Sequence, residues 1–122
     1  MNAGDTFFVS ADVHLWFIAS DPTLDPDHVL CLMFTSRREK CDEACIVCSG
    51  EHPFIRHDTI VQYSAAYIVS LASLVDRMKR GLIVSDVPLS AALLARIRKS
   101  AVDSPFIPNE AYALLREQGF VE

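Results

Sequence analysis

The residues of this chain that are best suited to chemistry stand close together between Gly50 and Asp58. The segment reads Gly-Glu-His-Pro-Phe-Ile-Arg-His-Asp and contains two of the four histidines of the chain. Histidine can take up or release a proton near neutral pH, and arginine can stabilise the negative charge of a phosphate or its transition state. Pro53 favours a loop or a strand edge, where functional groups often gather. The segment therefore predicts acid–base catalysis, anion binding or a metal site.

The residue types within this segment predict an apolar anchor with polar groups on both sides. His52 precedes a proline, which biases its backbone toward extended conformations. Phe54 and Ile55 are expected to enter the core, so that residues 56–58 are held at the rim of the fold. In the opposing interpretation the polar groups are structural: His52 makes a hydrogen bond, and residues 56–58 pair with one another or with water.

Further candidate residues lie at the ends of predicted strands. His14 begins the second strand, and Thr35 and Ser36 end the third. In a small barrel these positions can face the same rim as the segment 50–58. Each signal is weak alone, because Ser and Thr commonly close strands. Trp16 can offer a ring for stacking, although a Trp in so apolar a strand more often belongs to the core.

The cysteines Cys41, Cys45 and Cys48 suggest a zinc site, since together with His52 they would supply three thiolates and one imidazole. Residues 44–48 are predicted to form a strand, however, and neighbours in a strand alternate between its faces. Cys45 and Cys48 would then point to opposite sides. The favoured interpretation is reduced cysteines with no metal and no cofactor.

The first half of the chain is predicted to be sheet, because its apolar segments are short and rich in β-branched and aromatic residues. A short strand leaves exposed edges unless the sheet curls toward closure. The predicted strands are 6–10, 14–20, 29–35, 44–48 and 59–63, with a short sixth at 66–69.

The second half is predicted to contain three short helices. Ser70 and Ser90 are suitable N-caps for the first two, and the third runs from about 110 to 118. Gly81 and Gly119 follow the first and third helices, at the position where glycine often ends a helix. Strands followed by helices, without βαβ alternation, predict an α+β fold. The expected architecture is one domain, 1–122, with a half-closed barrel of five to six strands in 1–69 and helices in 70–122.

The charge of the chain is uneven. Net charge is −5, and it divides into −6 for residues 1–64 and +1 for residues 65–122. The acidic first half argues against a broad nucleic-acid surface, although a small local site remains compatible with it. No apolar run reaches the ~18 residues of a membrane span, and the first residues do not form a secretory signal. A soluble cytoplasmic protein is expected.

Three segments, read in order, carry a family resemblance. The segment 14–20 is similar to the second strand of PemK/MazF-like toxins, and 31–36 resembles their apolar strand that ends in Thr-Ser. The segment 50–63 is similar to one in small uncharacterised bacterial proteins that read Gly-Asp-His-Pro-Phe-Ile-Lys-His-Asp-Ser, followed by Val and Tyr. These proteins resemble distant relatives of the toxins, and the resemblance covers nearly the whole chain.

The resemblance implies an SH3-like barrel, a homodimer, and metal-independent cleavage of single-stranded RNA through a cyclic phosphate, or an inactive relative. It also implies a protein antitoxin that occupies the RNA groove. An arginine usually begins the second strand in the toxins, whereas this chain has His14. Histidine cannot replace a permanent cation, so Arg56 would supply that charge from the loop. Thr35 and Ser36 match the toxin pattern.

The leading hypothesis is thus a toxin-type endoribonuclease, with His57 as acid or base and Arg56 on the phosphate. The main alternative is a non-enzymatic interaction module, in which the same barrel binds a protein partner through its acidic loop and histidine rim. A structural zinc protein is the third hypothesis. The predicted catalytic residues are His14, Thr35, His52, Arg56 and His57, and the predicted substrate-binding residues are Ser36, Asp58 and Trp16.

Overall fold

The computed structural model describes residues 1–10 and 12–122, and in these residues it contains six strands and three α-helices. A single 3₁₀ turn, Ala101–Asp103, follows the second helix. The strands are β1 (Thr6–Val9), β2 (Leu15–Ile18), β3 (Val29–Ser36), β4 (Ile46–Val47), β5 (Thr59–Val69) and β6 (Ile83–Asp86). The helices are α1 (Leu71–Lys79), α2 (Ala91–Ser100) and α3 (Asn109–Glu117).

The strands form one antiparallel sheet in the order β4-β5-β3-β2-β1-β6, and the sheet curls into a half-barrel. Strand β3 is central because most of its side chains are apolar and buried, and it pairs with β2 on one side and β5 on the other. The predicted α+β half-barrel with three short helices is confirmed.

The predicted fifth and sixth strands are one continuous strand, which corrects the boundary at residues 64 and 65. Strand β5 pairs with the whole length of β3, but its register shifts in the middle. Cys31 lies opposite Tyr67, whereas Met33 lies opposite Gln62, so β5 contains additional residues at this point. A bulge of this kind bends the strand without ending the ladder.

Strand β6 was not predicted. It follows α1 and pairs with β1 at the edge of the sheet, where Val9 lies opposite Ile83. Ile83 is buried, but the two residues after it are exposed, so the four-residue strand has no clear alternation of apolar and polar positions. Two predicted strands are also shorter than expected: 14–20 reduces to β2, and 44–48 reduces to β4.

The helix ends follow the sequence signals closely. The side chains of Ser70 and Ser90 accept hydrogen bonds from the backbone N–H groups of Ser73 and Leu93, which confirms both predicted N-caps. At the end of α3, Gly119 has a φ of 81°, and the backbone N–H of Phe120 donates to the carbonyl of Leu115 at 2.9 Å. These bonds form a Schellman end at the glycine that was predicted to end the helix.

The two faces of the sheet pack against different helices. Helices α2 and α3 cover one face with residues such as Leu93 and Leu115, and this core includes Phe17 of β2. Helix α1 covers the other face with Leu74, and this second core includes Ile18. Because side chains alternate along a strand, consecutive residues of β2 enter opposite cores. No helix within the described part of the chain has the length and apolar character needed to cross a membrane.

Candidate functional site

One cavity of about 360 Å³ contains five of the eight predicted catalytic and substrate-binding residues. These five are His14, Thr35, Ser36, Arg56 and His57. We call this cavity the polar pocket. Its complete lining is Val13, His14, Phe34, Thr35, Ser36, Arg38, Phe54, Arg56, His57 and Thr59.

The pocket forms where the end of β3 meets the loop that precedes β5. Ser36, the last residue of β3, lies opposite Thr59, the first residue of β5. The hydroxyl of Thr59 donates to the backbone carbonyl of His57 at 2.9 Å and holds the end of the loop. Within the loop, Ile55 is 3% exposed and its N–H donates to the carbonyl of His52. The predicted anchoring of the loop through Ile55 is therefore confirmed.

Ser36 and His57 form a direct pair inside the polar pocket. The distance from Ser36 Oγ to His57 Nε2 is 2.9 Å. A hydroxyl and an imidazole at this distance share a hydrogen bond along which a proton can move. Both side chains are accessible to solvent, so a substrate can reach the ring nitrogen.

His14 is held by Asp12, a residue that the sequence reasoning missed. Asp12 Oδ1 lies 2.8 Å from His14 Nδ1, and Asp12 Oδ2 accepts a hydrogen bond from Trp16 Nε1 at 3.2 Å. The hydrogen bonds from His14 and then Trp16 lower the pKa of Asp12 from 3.8 to about 2, since they stabilise the carboxylate. Asp12 therefore fixes the ring of His14 with Nδ1–H toward the carboxylate and leaves Nε2 for chemistry.

Two arginines, Arg38 and Arg56, line the polar pocket. Among the residues that the structure describes, no carboxylate lies within 4 Å of either guanidinium. The nearby acidic side chains pair instead with Arg37, which lies 2.6 Å from Glu43 and 3.3 Å from Asp58. Asp58 thus pairs outside the pocket, and the alternative pairing of Arg56 with Asp58 is not observed. Arg38 was not predicted, because in sequence it is one of several charges in an exposed loop.

His52 lies outside the polar pocket, contrary to its placement in the catalytic set. It is 4% exposed, and both ring nitrogens contact backbone groups. Its Nδ1 accepts from the N–H of Phe54 at 3.1 Å, and its Nε2 donates to the carbonyl of Val87 at 2.7 Å. The ring ties the loop to the segment after β6. His52 therefore has the structural role that the opposing interpretation gave it.

Of two aromatic residues, Trp16 lies against the core, as favoured, and Phe54 does not. Trp16, expected as a stacking platform or a core residue, packs beside the core under α1 and lines a different cavity. Phe54, expected in the core, is 39% exposed and lines the polar pocket. The ring of Phe54 meets that of Phe8 edge to face, with centroids 5.3 Å apart. Phe54 thereby gives the pocket an aromatic wall.

The residues of the zinc hypothesis are separated in the fold. Cys45 is buried and Cys48 is exposed, and both lie outside β4, so the strand alternation that was expected to separate them does not apply. Burial raises the pKa of the Cys45 thiol, although hydrogen bonds from Arg96 and Ser100 oppose the shift. Across residues 1–10 and 12–122, no three His, Cys, Asp or Glu side chains gather into a group that could hold a metal ion.

The polar pocket combines two imidazoles, three hydroxyls, two guanidinium groups and one exposed aromatic ring. Comparison of the chain with protein-family models, with curated proteins and with solved structures gives no match. The function of the pocket must therefore follow from the chemistry of its own side chains.

Proposed function

We propose that the polar pocket is the active site of an endoribonuclease that cleaves single-stranded RNA without a metal ion, as the resemblance to PemK/MazF-like toxins implies. One observation carries the proposal: His14 and His57 line the same cavity as Arg38 and Arg56. RNA cleavage through a cyclic phosphate needs a base, an acid and a cation, and these four side chains supply all three.

The residue environments suggest which histidine has which role. His57 Nε2 already lies beside a hydroxyl, that of Ser36, and it is placed to accept the proton of an RNA 2′-hydroxyl as general base. Asp12 holds the ring of His14 through Nδ1, and His14 acts as general acid through Nε2. The 2′-oxygen bonds to phosphorus, and the bond to the 5′-oxygen breaks. The leaving oxygen takes its proton from His14, which yields a 2′,3′-cyclic phosphate and a 5′-hydroxyl.

Arg38 and Arg56 are suited to the charge that develops on the phosphate, because a guanidinium remains protonated throughout the physiological range. Thr35 adds a hydroxyl that can donate to a phosphate oxygen. Phe54 can stack on a nucleobase, an interaction worth about 1–3 kcal/mol per base.

The acidic character of residues 1–64 does not extend into the pocket, where the charged lining residues are cationic or imidazole. Nearby carboxylates are engaged elsewhere: Glu43 and Asp58 contact Arg37, and Glu51 contacts Arg96. The site is therefore locally attractive to a phosphate despite the net charge of the chain.

The experiment is cleavage of an end-labelled single-stranded RNA by purified protein in excess EDTA, with the new ends identified by mass spectrometry. We expect a cyclic phosphate product, and no cleavage of the all-deoxy strand, because that strand lacks the attacking 2′-hydroxyl. His57→Ala and His14→Ala should each lower the rate by about 100- to 10,000-fold. Arg80→Ala is the control, since Arg80 pairs with Asp76 on the surface of α1. Absence of cleavage, or equal rates in both histidine variants and the wild type, would contradict the proposal.

The non-enzymatic interaction module is the second candidate, and the exposed apolar groups at the pocket favour it. Val13 is 78% exposed and Phe54 is 39% exposed, and both line the pocket. Such a rim would suit a protein partner. This candidate expects no RNA cleavage, together with binding to a partner that is lost when Phe54 is changed to Ser.

The toxin-type proposal carries three further expectations. The chain forms a homodimer, a small antitoxin protein covers the polar pocket, and cellular RNA in the cytoplasm is the substrate. Induced expression in a bacterium should then arrest growth, and His57→Ala should relieve the arrest at an equal protein level. Light scattering of the purified protein tests the dimer. Harmless expression of the wild type would oppose the toxin role.

A further inference from the structure

A second cavity, of about 460 Å³, opens on the face of the sheet that α1 covers. We call it the apolar pocket. Phe7, Cys31, Leu74 and Ile83 form its inner wall and belong to the buried core on this face. The volume falls in the range of about 300–1,000 Å³ that is usual for small-ligand sites. The remaining lining residues are Val9, Ser10, Trp16, Tyr67, Arg77 and Leu82.

Arg77 is the charged residue of this lining, and its guanidinium is positioned by Tyr67. Arg77 Nη2 donates to the Tyr67 hydroxyl at 3.1 Å, and the guanidinium carbon lies 5.6 Å from the centre of the Tyr67 ring. Within the described residues, no carboxylate lies within 4 Å of this guanidinium, and the adjacent Asp76 pairs with Arg80. The other Arg77 N–H groups are therefore available to an anion at the edge of an apolar cavity.

Asp12 is linked to this cavity through its hydrogen bond with Trp16. It does not line the cavity, and both of its oxygens already accept hydrogen bonds, from His14 and from Trp16. Its carboxylate is therefore occupied by hydrogen bonds to other residues of the protein. The charge that a ligand meets inside the apolar pocket is that of Arg77.

We propose that the apolar pocket binds a small apolar carboxylate, of the size of a medium-chain fatty acid. The apolar body would lie against Phe7, Trp16 and Leu74, and the carboxylate would contact the guanidinium of Arg77. A carboxylate and a guanidinium match in geometry and charge, and the surrounding apolar wall strengthens their attraction. The proposal for the apolar pocket does not depend on the activity proposed for the polar pocket.

Trp16 makes the proposal directly testable, because it is the only tryptophan of the chain and lines the cavity. Its fluorescence is measured while decanoate, decanol or decyltrimethylammonium is added at concentrations below micelle formation. We expect saturable one-to-one binding of decanoate, at least tenfold weaker binding of decanol, and no binding of the cation. Chemical shifts of the Trp16 indole N–H, measured by NMR, provide a second readout at the same site.

Arg77→Met retains an unbranched apolar stem and removes the charge. It should weaken decanoate binding at least tenfold and leave decanol binding unchanged. Arg80→Met is the matched control, since it removes one positive charge from the same end of α1 at a residue outside the cavity. Tyr67→Phe removes the hydroxyl that positions Arg77 and should give a smaller loss. Circular dichroism verifies that each variant is folded.

Three results would overturn the proposal. The first is the absence of any fluorescence or NMR change up to the solubility limit of decanoate. The second is equal affinity for decanoate and decanol, or unchanged decanoate affinity in Arg77→Met. The third is a fluorescence change that depends on protein concentration and on self-association in the ultracentrifuge, which would identify a second copy of the chain as the occupant.

Discussion

The polar pocket and the apolar pocket differ in how much their lining residues contribute to the stability of the protein. In the polar pocket, Arg56 and His57 are exposed side chains of a loop that Ile55 anchors from below. In the apolar pocket, Leu74 and Ile83 are part of the buried core. Side chains of the first kind can change with little effect on folding, whereas those of the second kind cannot. The same sheet thus carries one site whose Arg56 and His57 are exposed and one whose inner wall belongs to the buried core.

Asp12 connects the two pockets. One carboxylate oxygen contacts His14 of the polar pocket, and the other contacts Trp16 of the apolar pocket. The two pockets therefore share one group, the carboxylate of Asp12. Variants in each pocket, and then at Asp12, test this difference between the pockets.

Apart from the variants of His14 and His57, Arg56→Met should have the largest effect, and that effect should fall on activity. If Arg56 stabilises the phosphate in the transition state, kcat/KM for RNA falls by about 100- to 1,000-fold. The free energy of unfolding should change by no more than about 0.5 kcal/mol, because Arg56 is exposed. Cleavage assays and urea unfolding of the same preparation measure both quantities. A stability loss of several kcal/mol would show that the polar pocket is also part of the folding core.

Leu74→Ala should have the next largest effect, and it should fall on stability. Leu74 is 1% exposed in the core under α1, and replacing such a residue costs about 2–5 kcal/mol. Urea unfolding monitored by circular dichroism gives the value. Val84→Ala on exposed β6 is the matched control, for which a change within about 0.5 kcal/mol is expected. Equal stabilities for the two variants would remove the distinction between the pockets.

His52→Ala and His57→Ala should differ in stability although both residues lie in the same loop. His52→Ala leaves the N–H of Phe54 without its partner and removes one of the two hydrogen bonds that the carbonyl of Val87 accepts, which costs about 1–3 kcal/mol. His57→Ala, five residues away, should cost no more than about 0.5 kcal/mol because His57 is exposed. The comparison uses thermal and urea unfolding of both variants under identical conditions. An unchanged stability for His52→Ala would mean that the buried ring does not hold the loop.

The features that the sequence predicted well depend on neighbouring residues. Ser70 and Ser90 cap their helices through bonds that span three residues, so their roles can be read locally. The pairing of β5 with β3 depends on contacts between distant residues, and the bulge opposite Cys31 and Met33 has no local signal. Strand β6 exists because β1 offers it an edge to pair with.

The candidate site shows the same limit. Arg56 and His57 of the polar segment 50–58 line the pocket, but the sequence did not show which side chains of the segment turn inward. His52 is buried because Val87, distant in sequence, offers it a carbonyl, and Phe54 is exposed in spite of its apolar ring. Asp12 carried a readable signal, since it stands two residues before His14 and can close a local hydrogen bond.

Asp12→Asn should have the smallest effect, and it tests the connection itself. An amide has one acceptor oxygen, so Asn cannot accept hydrogen bonds from both His14 and Trp16 as the carboxylate does. We expect a loss below about 1 kcal/mol near neutral pH, because solvent screens a pair this accessible. The kcat for RNA should fall less than it does in Arg56→Met, since His14 remains in place with a poorer orientation.

The pH dependence of this loss identifies its origin. Folding lowers the pKa of Asp12 from 3.8 to about 2, so the carboxylate contributes stability above pH 3.8 and loses it as the pH falls toward 2. The difference in unfolding free energy between the wild type and Asp12→Asn should therefore disappear across this window, as urea unfolding at several pH values would show. A difference in unfolding free energy that persists at pH 2 would mean that the shape of residue 12, rather than its negative charge, accounts for the stability that it contributes.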